Sequence, residues 1–377
     1  MKITNIRTFV IQINNRSRAL IKIETNEGLH GWGEAYSIGP DLAAEPIANY
    51  IFELIKGEDP RRIEYLMLKL HQQFRFPIGG VGLAVISAVD HALWDISGKA
   101  AGLPTYMLLG GSVRDRVEVY LHLGGKSGKE AADHAGRLNE NWGVTVFKTS
   151  PYRIYMLANR WGMVCATAAS FFSDLRQHTP SNWEFAFDAH AKVFEPIRAL
   201  QLANALADYD PYFYEEPIRP EHIPAWSQLK SQIQVPLATG ECLYTRFQFL
   251  GLITQKGADI IQPDVCVCGG LLEMKKIAAI GEAHYVSIAP HNPMGPLATA
   301  VNLHFALSTP NFKILEYNPP DAYPWVDEPY LPKDGYLEMR DRPGLGIDII
   351  EEAIPEKSYQ HWQRDSLTKP DGSTGYI

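Results

Sequence analysis

Cysteine is scarce in this sequence, with four residues in a chain of 377. So few cysteines do not provide the disulfide framework of a small secreted domain, and they favour a reducing compartment. Cys266 and Cys268 form a close pair, but no second pair lies at the spacing of a zinc site. We therefore expect neither a disulfide scaffold nor structural zinc, and we expect a cytoplasmic protein.

Basic residues are fewer than acidic residues. Lysine and arginine number 35 against 43 for aspartate and glutamate, which gives a formal net charge of −8. This balance leaves no basic footprint for a nucleic-acid backbone. Apolar residues make up 46% and charged residues 21% of the chain, which is typical of a globular protein and excludes disorder and a coiled coil. The expected partner is a small molecule.

A long uninterrupted apolar run is missing as well. The opening sequence MKITNIRTFV has no apolar core of the kind that a signal peptide requires. Residues 286–312 carry no Asp, Glu, Lys or Arg, but four prolines interrupt this stretch and argue against a membrane span. The sequence therefore predicts a protein without a membrane segment.

Two folding units are predicted along the chain. In residues 1–112, alternating apolar residues near the start indicate an antiparallel meander, and apolar residues three and four apart indicate helices from 41 to 111. The Gly-x-Gly fragments in 31–35 and 344–348 lack the strand-to-helix loop of a dinucleotide site, and we assign them to turns. Residues 319–377 are rich in proline and glycine, and we expect them to pack back on the first unit.

Eight short apolar runs lie between residues 113 and 318, and helical stretches alternate with them. This alternation is typical of a parallel sheet, either an open doubly wound sheet or a closed (β/α)8 TIM barrel. Eight units in this length favour closure, so we predict an α/β barrel that carries the α+β unit. The runs are 117–123, 144–150, 184–190, 212–217, 235–241, 258–264, 285–291 and 312–318.

Carboxylates end three successive runs. Asp188, Glu215 and Glu241 are separated by 27 and 26 residues. Because the strand ends of a parallel barrel open on one face, the three side chains should converge. Hard oxygen ligands with room for water and substrate suit Mg²⁺. We therefore predict a magnesium site, although any one of these residues alone would more often be a helix cap or a solvated loop charge.

Titratable residues at the remaining strand ends suggest proton transfer. A carboxylate at Asp264 would fix the tautomer of His291 and raise its basicity, so His291 is the candidate base, with a structural histidine as the alternative. His190 lies two positions beyond Asp188, on the same face of an extended segment, and is a metal ligand, a hydrogen-bond donor or a general acid. Lys148 either steadies negative charge or is a barrel lysine whose head reaches solvent.

Several stretches carry a family resemblance: GWGEA (31–35), VISAVDHALWDISGKAAGLPTYMLLGG (85–111), FDAHAK (187–192), YEEP (214–217), GE (240–241), DIIQPD (259–264), SIAPHNPMGP (287–296) and RPGLGID (342–348). Through them the chain resembles the enolase superfamily, in its mandelate racemase and muconate lactonizing branch. The resemblance implies an enolase-like modified barrel whose α+β unit caps the active site. It also implies Mg²⁺ on the three carboxylates, a His291–Asp264 dyad and Glu316 as a partner of the substrate carboxylate.

The Asp-x-His at 188–190 resembles that of galactonate-type sugar-acid dehydratases, in which the histidine protonates the departing hydroxyl. Mandelate racemase has a second lysine where this chain has Ser150. The resemblance thus implies a Mg²⁺-dependent dehydratase of an aldonic or related sugar acid that yields a 2-keto-3-deoxy acid, with Lys148 helping to hold the carboxylate. The alternatives are an epimerase, racemase or cycloisomerase, and a sugar-acid sensor without turnover. We also expect a homo-oligomer.

Overall fold

An antiparallel sheet of three strands begins the chain. Its strands are β1 (Ile3–Ile13), β2 (Arg16–Thr25) and β3 (His30–Ala35), and β2 lies in the middle. The computed structural model describes residues 1–13, 16–319, 323–355, 359–363 and 367–374. Parts of the predicted C-terminal segment 319–377 therefore lie outside the described residues.

Four helices follow this sheet: α1 (Ala44–Ile55), α2 (Ile63–Gln73), α3 (Gly79–Ala101) and α4 (Thr105–Leu108). Helix α3 ends at Gly102, whose φ of 66° suits the left-handed residue that commonly terminates a helix. Gly31 and Gly33 lie within β3, so the assignment of this fragment to a turn is wrong. A Cβ at these positions would collide with the backbone carbonyls of Ala92 and Ala88 in α3. The two glycines therefore allow the strand and the helix to pack closely.

Parallel strands form the second unit: β4 (Arg116–His122), β5 (Val146–Thr149), β6 (Glu184–Asp188), β7 (Tyr214–Glu215), β8 (Leu237–Thr239), β9 (Ile260–Ile261), β10 (Ser287–Ile288) and β11 (Leu315–Glu316). Each overlaps one predicted run. Strands β4 to β10 pair in chain order, and β11 pairs with β4. Ile288 N donates to Asn311 O (3.0 Å) and Lys313 N donates to Ile288 O (2.8 Å). These two hydrogen bonds join β10 to the segment before β11 and close the ring.

A layer of buried side chains fills the interior of the ring, with one residue from each strand or its immediate flank. These residues are Tyr120, Val146, Ala186, Phe213, Ala238, Ile260, Ala289 and Ile314. An interior packed by residues from every strand is characteristic of a closed barrel. The predicted fold class, a (β/α)8 barrel with an α+β cap, is confirmed, and the open doubly wound sheet is excluded.

Helices connect the barrel strands: α5 (Gly128–Trp142), α6 (Trp161–Gln177), α7 (Pro196–Leu206), α8 (Ile223–Lys230), α9 (Thr245–Thr254), α10 (Leu271–Ala283) and α11 (Pro296–Leu307). Short 3-10 turns occur at Asp41–Ala43, Ala207–Tyr209 and Glu351–Ala353. The long interval between β5 and β6 consists of a loop and the 17-residue helix α6. Across the described parts of the chain, every helix is too short or too polar to cross a membrane.

The segment after the barrel contacts both units. Strand β12 (Tyr336–Glu338) pairs antiparallel with β4 of the barrel. Farther along, Leu345 N donates to the Asp95 carboxylate in α3 (2.9 Å). Glu351 forms ion pairs with Arg7 and Lys22 of the first sheet. These contacts tie the barrel to the cap.

Helix α3 of the cap also holds the loop that follows β9. The Asp90 carboxylate accepts hydrogen bonds from Leu271 N (2.6 Å) and Leu272 N (3.3 Å) at the start of α10. His91 Nε2 lies 3.1 Å from Val265 O. Asp90 thus caps a barrel helix from the neighbouring unit, since it satisfies N–H groups that have no partner within the helix.

Replacement of Asp90 by alanine should lower the free energy of unfolding by about 1 kcal/mol, the usual effect of losing an N-cap acceptor. Asp90→Asn keeps a side-chain oxygen and should lose less. Urea denaturation checks both values, with Asp133→Ala as the control because Asp133 is exposed and, among the described residues, pairs with exposed Lys129. A wild-type denaturation midpoint in Asp90→Ala would show that this cap does not stabilise the fold.

Candidate active site

The carboxyl ends of the barrel strands open into a cavity of about 280 Å³ beneath the cap. Small-molecule sites usually measure about 300–1,000 Å³, so this cavity suits a compact ligand. A larger depression of about 560 Å³ beside α5 and α6 holds none of the predicted site residues. The predicted site residues that line the cavity at the strand ends are Lys148, Asp188, His190, Glu241, His291 and Glu316.

Lys148 lies at the centre of the acidic strand ends. Its Nζ is 2.7 Å from Glu215 Oε1, 2.9 Å from Glu316 Oε1 and 3.3 Å from Asp188 Oδ2. The side chain is only 2% exposed, so the alternative in which its head reaches solvent is wrong. Burial disfavours the charged form, but Glu215 and Glu316 outweigh burial and raise the pKa of Lys148 well above its ordinary value. The ammonium therefore neutralises part of this cluster.

The three predicted magnesium ligands lie at neighbouring strand ends. Asp188 and Glu215 are register partners on β6 and β7, and Glu241 follows β8. Burial raises the pKa of Glu215 well above its ordinary value; Lys148 opposes this effect, while repulsion from Asp188 and Glu241 adds to it. Repulsion of this kind means that the three carboxylates are close enough to interact, and a divalent cation would relieve it.

The carboxylates also have other partners. Lys148 bridges Asp188 and Glu215, whereas Glu241 Oε2 is 3.4 Å from His291 Nε2. With these pairings, no three acidic, histidine or cysteine side chains among the described residues form a ready metal cage. The donor chemistry nevertheless suits a cation, because the carboxylates of Asp188 and Glu215 both contact Lys148 and Glu241 follows the next strand.

Glu216, next to a predicted ligand, is a further buried carboxyl group in this region. Its Oε1 accepts hydrogen bonds from Thr239 Oγ1 (2.6 Å) and Gly240 N (3.1 Å), whereas its buried Oε2 has no hydrogen-bond partner among the described residues. Burial, reinforced by Glu241, raises the pKa of Glu216 to about 8. Its φ of 40° is a left-handed conformation that is strained for glutamate. A cation bound nearby would lower the pKa of Glu216 and favour the ionised carboxylate.

His291 and Asp264 form a hydrogen-bonded pair at the ends of β10 and β9. His291 Nδ1 is 2.7 Å from Asp264 Oδ2, and Cys266 N donates to Asp264 Oδ1 (2.8 Å). The carboxylate thus accepts the Nδ1–H and leaves Nε2 facing Glu241 and the cavity. Burial lowers the pKa of His291, but Glu241 and Asp264 outweigh burial and raise it well above its ordinary value. The pair thus makes Nε2 a stronger base than a free imidazole, able to take up a proton when the ring is neutral.

His190 lies just beyond the end of β6. Its Nδ1 is 3.3 Å from Asp188 Oδ1, and its backbone N–H donates to the same oxygen (2.8 Å). The residue has a φ of 52°, so the expectation of an extended segment is wrong: the strand ends at Asp188 and the chain turns. Partial desolvation lowers the pKa of His190, and Asp188 opposes that effect. The ring remains 45% exposed and can exchange a proton with a ligand.

Glu316 is held by contacts from three neighbouring segments. Its Oε1 is 2.5 Å from His122 Nε2 and 2.9 Å from Lys148 Nζ, and its Oε2 accepts a hydrogen bond from Asn292 N (2.8 Å). Burial raises the pKa of Glu316, but Lys148 and His122 outweigh burial and lower it well below its ordinary value. Glu316 is therefore an anion that orients Lys148 and His122 at the cavity wall.

Family models match almost the whole chain. Residues 2–110 match the mandelate racemase / muconate lactonizing enzyme N-terminal domain, and residues 130–353 match the enolase C-terminal domain-like model. The chain belongs to the mandelate racemase / muconate lactonizing enzyme family. The predicted resemblance to the enolase superfamily is thereby confirmed.

Relatives of this family member include dehydratases. It is 34% identical to a D-galactonate dehydratase from Pectobacterium atrosepticum and 33% identical to one from Variovorax paradoxus, in each case over 99% of both chains. A crystal structure of an enolase from Agrobacterium radiobacter, a proposed galactarate dehydratase bound to sodium and L-malate, is 51% identical, with a TM-score of 0.97 over 100% of both chains. The predicted enzyme class, a hydro-lyase of the dehydratase type, is confirmed by these full-length similarities.

The cavity of this family member also contains residues that the sequence analysis missed. His122 lies at the end of β4. Inspection of the residues that end each predicted strand could have identified it, but no acidic residue at the end of this run drew attention to it. Arg16, Arg18 and Tyr36 line the wall that the cap contributes. No local pattern connects these three residues with the barrel, because their position depends on how the cap docks.

Proposed function

We propose that this family member is a Mg²⁺-dependent dehydratase of an aldonic or related sugar acid, which it converts to a 2-keto-3-deoxy acid. The observation that carries the proposal is the opposition of two histidines. His291 follows β10 and His190 follows β6, four positions apart in a ring of eight strands. One imidazole can therefore take a proton on one side of the cavity while the other gives a proton on the opposite side.

Asp188, Glu215 and Glu241 are the residues that would hold Mg²⁺. Their oxygen chemistry and mutual repulsion support this assignment. When bound, Mg²⁺ supplies a Lewis acid that offsets the negative charge developing on the substrate carboxylate. Lys148 contributes a fixed positive charge beside the same carboxylates.

His291 removes the proton on C2, next to the substrate carboxylate. Because Nδ1 is tied to Asp264, the proton is accepted at Nε2. The electron pair of the broken C–H bond moves toward the substrate carboxylate. Lys148 and His122, which Glu316 orients, stabilise the negative charge that develops on the oxygens.

His190 in its protonated form then gives a proton to the hydroxyl on C3. As the C3–O bond breaks, water leaves and the electron pair forms the C2–C3 double bond of an enol. The enol becomes the 2-keto-3-deoxy acid when a proton adds at C3. The sequence of steps loses one water and involves no net oxidation. Asp188, 3.3 Å from His190 Nδ1, opposes the lowering of the His190 pKa by burial and so supports the charged imidazole that this step needs.

Epimerisation at C2 is the second candidate, and the same opposition of two imidazoles favours it. In that reaction His190 would return a proton to the opposite face of C2 and no hydroxyl would leave. Protonation of the C3 hydroxyl by His190 is the preferred assignment, because the relatives matched over the full length are dehydratases. Product analysis separates the two reactions, since only dehydration gives a keto acid.

Metal removal tests the proposal. Incubation with EDTA should lower the rate of keto-acid formation by roughly 10²-fold or more, the effect of losing a major electrostatic stabiliser, and added Mg²⁺ should restore it. The assay uses a panel of aldonic, aldaric and uronic acids with detection of 2-keto-3-deoxy products. Asp188→Asn should not recover with Mg²⁺, whereas exposed Asp133→Asn should behave as wild type.

Two results would contradict the proposal in different ways. Full activity in the EDTA-treated protein would exclude the metal role of the three carboxylates. Absence of keto acid from every member of the panel, with Mg²⁺ present, would exclude sugar-acid dehydration itself.

A further inference from the structure

The cap places two arginines from one strand at the wall of the catalytic cavity. Arg16 and Arg18 both belong to β2 and line the cavity together with Tyr36. The barrel strand ends contribute the carboxylates, so the two arginines form a separate positively charged region. The proposed proton transfers at C2 and C3 do not use the positive charges of Arg16 and Arg18. The presence of these charges at the cavity wall therefore requires another explanation.

Arg18 is a buried arginine whose charge is balanced within the protein. Its side chain is 3% exposed, and its Nε lies 3.7 Å from Glu34 Oε1. It donates hydrogen bonds to Ser17 O (2.9 Å) and Pro293 O (3.2 Å), and its guanidinium lies 3.9 Å from the centre of the Tyr36 ring. These contacts make Arg18 a rigid support for Tyr36.

Arg16 differs because no carboxylate lies within ion-pair distance of it among the described residues. Its Nη1 donates to Tyr36 Oη (2.7 Å), and its guanidinium lies 4.9 Å from the centre of the Trp362 ring. The guanidinium is thus oriented by two aromatic residues while its remaining N–H groups are left for a ligand. A planar guanidinium held in this way is suited to bind a carboxylate through two parallel hydrogen bonds.

We propose that Arg16 binds a second carboxylate at the far end of the substrate, so that the preferred substrate is a sugar diacid, an aldaric acid, rather than an aldonic acid. This inference rests on the proposed function. An aldonic acid presents a neutral hydroxymethyl group at its far end, which cannot balance the charge of Arg16. An aldaric acid presents a carboxylate there, and the crystallised relative from Agrobacterium radiobacter holds the diacid L-malate.

The test compares wild type, Arg16→Gln and Arg16→Lys with Mg²⁺ present, on galactarate and galactonate. Arg16→Gln should lower kcat/KM for galactarate about 10- to 100-fold, the effect of losing a hydrogen-bonded charge, and change that for galactonate less than about threefold. Arg16→Lys should recover part of the loss, because it keeps the charge without the planar fork. Arg7→Gln is the control: Arg7 lies on the same sheet but pairs with Glu351 outside the cavity.

A binding measurement makes the inference independent of turnover. By calorimetry, L-malate should bind wild type at least about 10-fold more tightly than the monoacid L-2-hydroxybutanoate, and Arg16→Gln should abolish this preference. Equal binding of the two acids, or a preference that survives in Arg16→Gln, would overturn the second-carboxylate site.

The outcomes separate this inference from the proposed function. Dehydration of galactonate at least as fast as galactarate, unaffected by Arg16→Gln, would overturn the diacid preference and leave sugar-acid dehydration standing. An Arg16-dependent preference for L-malate without dehydration of any sugar acid would support the carboxylate site and reject the proposed reaction. Loss of activity on both substrates to the same extent in Arg16→Gln and Arg16→Lys would assign Arg16 a structural role instead.

Discussion

Replacement of His291 by asparagine should abolish exchange of the substrate α-proton with solvent deuterium and lower turnover by about 10²- to 10⁴-fold, the usual contribution of a general base. Asparagine keeps a side chain that can bond to Asp264 but cannot accept a proton at the position of Nε2. Because the hydrogen on C2 is only weakly acidic, its removal requires a base held beside it, and this variant lacks one at the position of Nε2. Proton NMR of the substrate in D₂O, with Mg²⁺ present, measures the exchange directly.

A matched histidine controls this experiment. His284 lies at the end of α10, exposed and hydrogen-bonded to Ile280 O, so His284→Asn should exchange and turn over as wild type. Undiminished exchange in His291→Asn would identify another residue as the base. Binding of L-malate to the variant shows whether the cavity is intact.

Replacement of His190 by asparagine should separate proton abstraction from elimination. Dehydration should fall by about 10²- to 10⁴-fold, because the C3 hydroxyl is a poor leaving group without a proton donor. Exchange at C2 should persist, because His291 and Asp264 are on the opposite side of the barrel and keep their hydrogen bond. The measurement is the ratio of exchange rate to keto-acid formation, which should rise strongly in the variant.

The His284→Asn protein again serves as the control, with a wild-type ratio. Full dehydration activity in His190→Asn would remove this histidine from the mechanism. Loss of exchange together with dehydration would instead place His190 in the abstraction of the C2 proton, as the epimerase alternative requires.

The architecture follows from local sequence features. Each barrel strand is a short apolar run, and its length and spacing give the alternation of strands and helices. The carboxyl ends of all strands must share one face once the barrel closes. The proximity of Asp188, Lys148 and Glu316 could therefore be predicted from their positions at the ends of the strand sequences. Gly31 and Gly33 were wrongly assigned to a turn. Glycine is needed at both positions because β3 packs closely on α3, and this tertiary contact leaves no signal in the surrounding residues.

The residues on the cap side of the cavity could not be predicted from local sequence patterns. Arg16 and Tyr36 reach the barrel mouth through the docking of two units that are far apart in the sequence, and Trp362 arrives from the C-terminal segment. The role of Lys148 was also open, because burial decides whether a lysine reaches solvent or pairs with carboxylates. The turn at His190 depends on where β6 ends, which the period of the run does not define to one residue.

One turnover in D₂O, followed by proton NMR with Mg²⁺ and a sugar acid from the panel, is the most direct test of the central claim. Elimination followed by protonation from solvent predicts a 2-keto-3-deoxy acid that carries one deuterium at C3. Recovery of the hydroxy acid with deuterium at C2, and no keto acid, would contradict dehydration and establish epimerisation or simple exchange in its place.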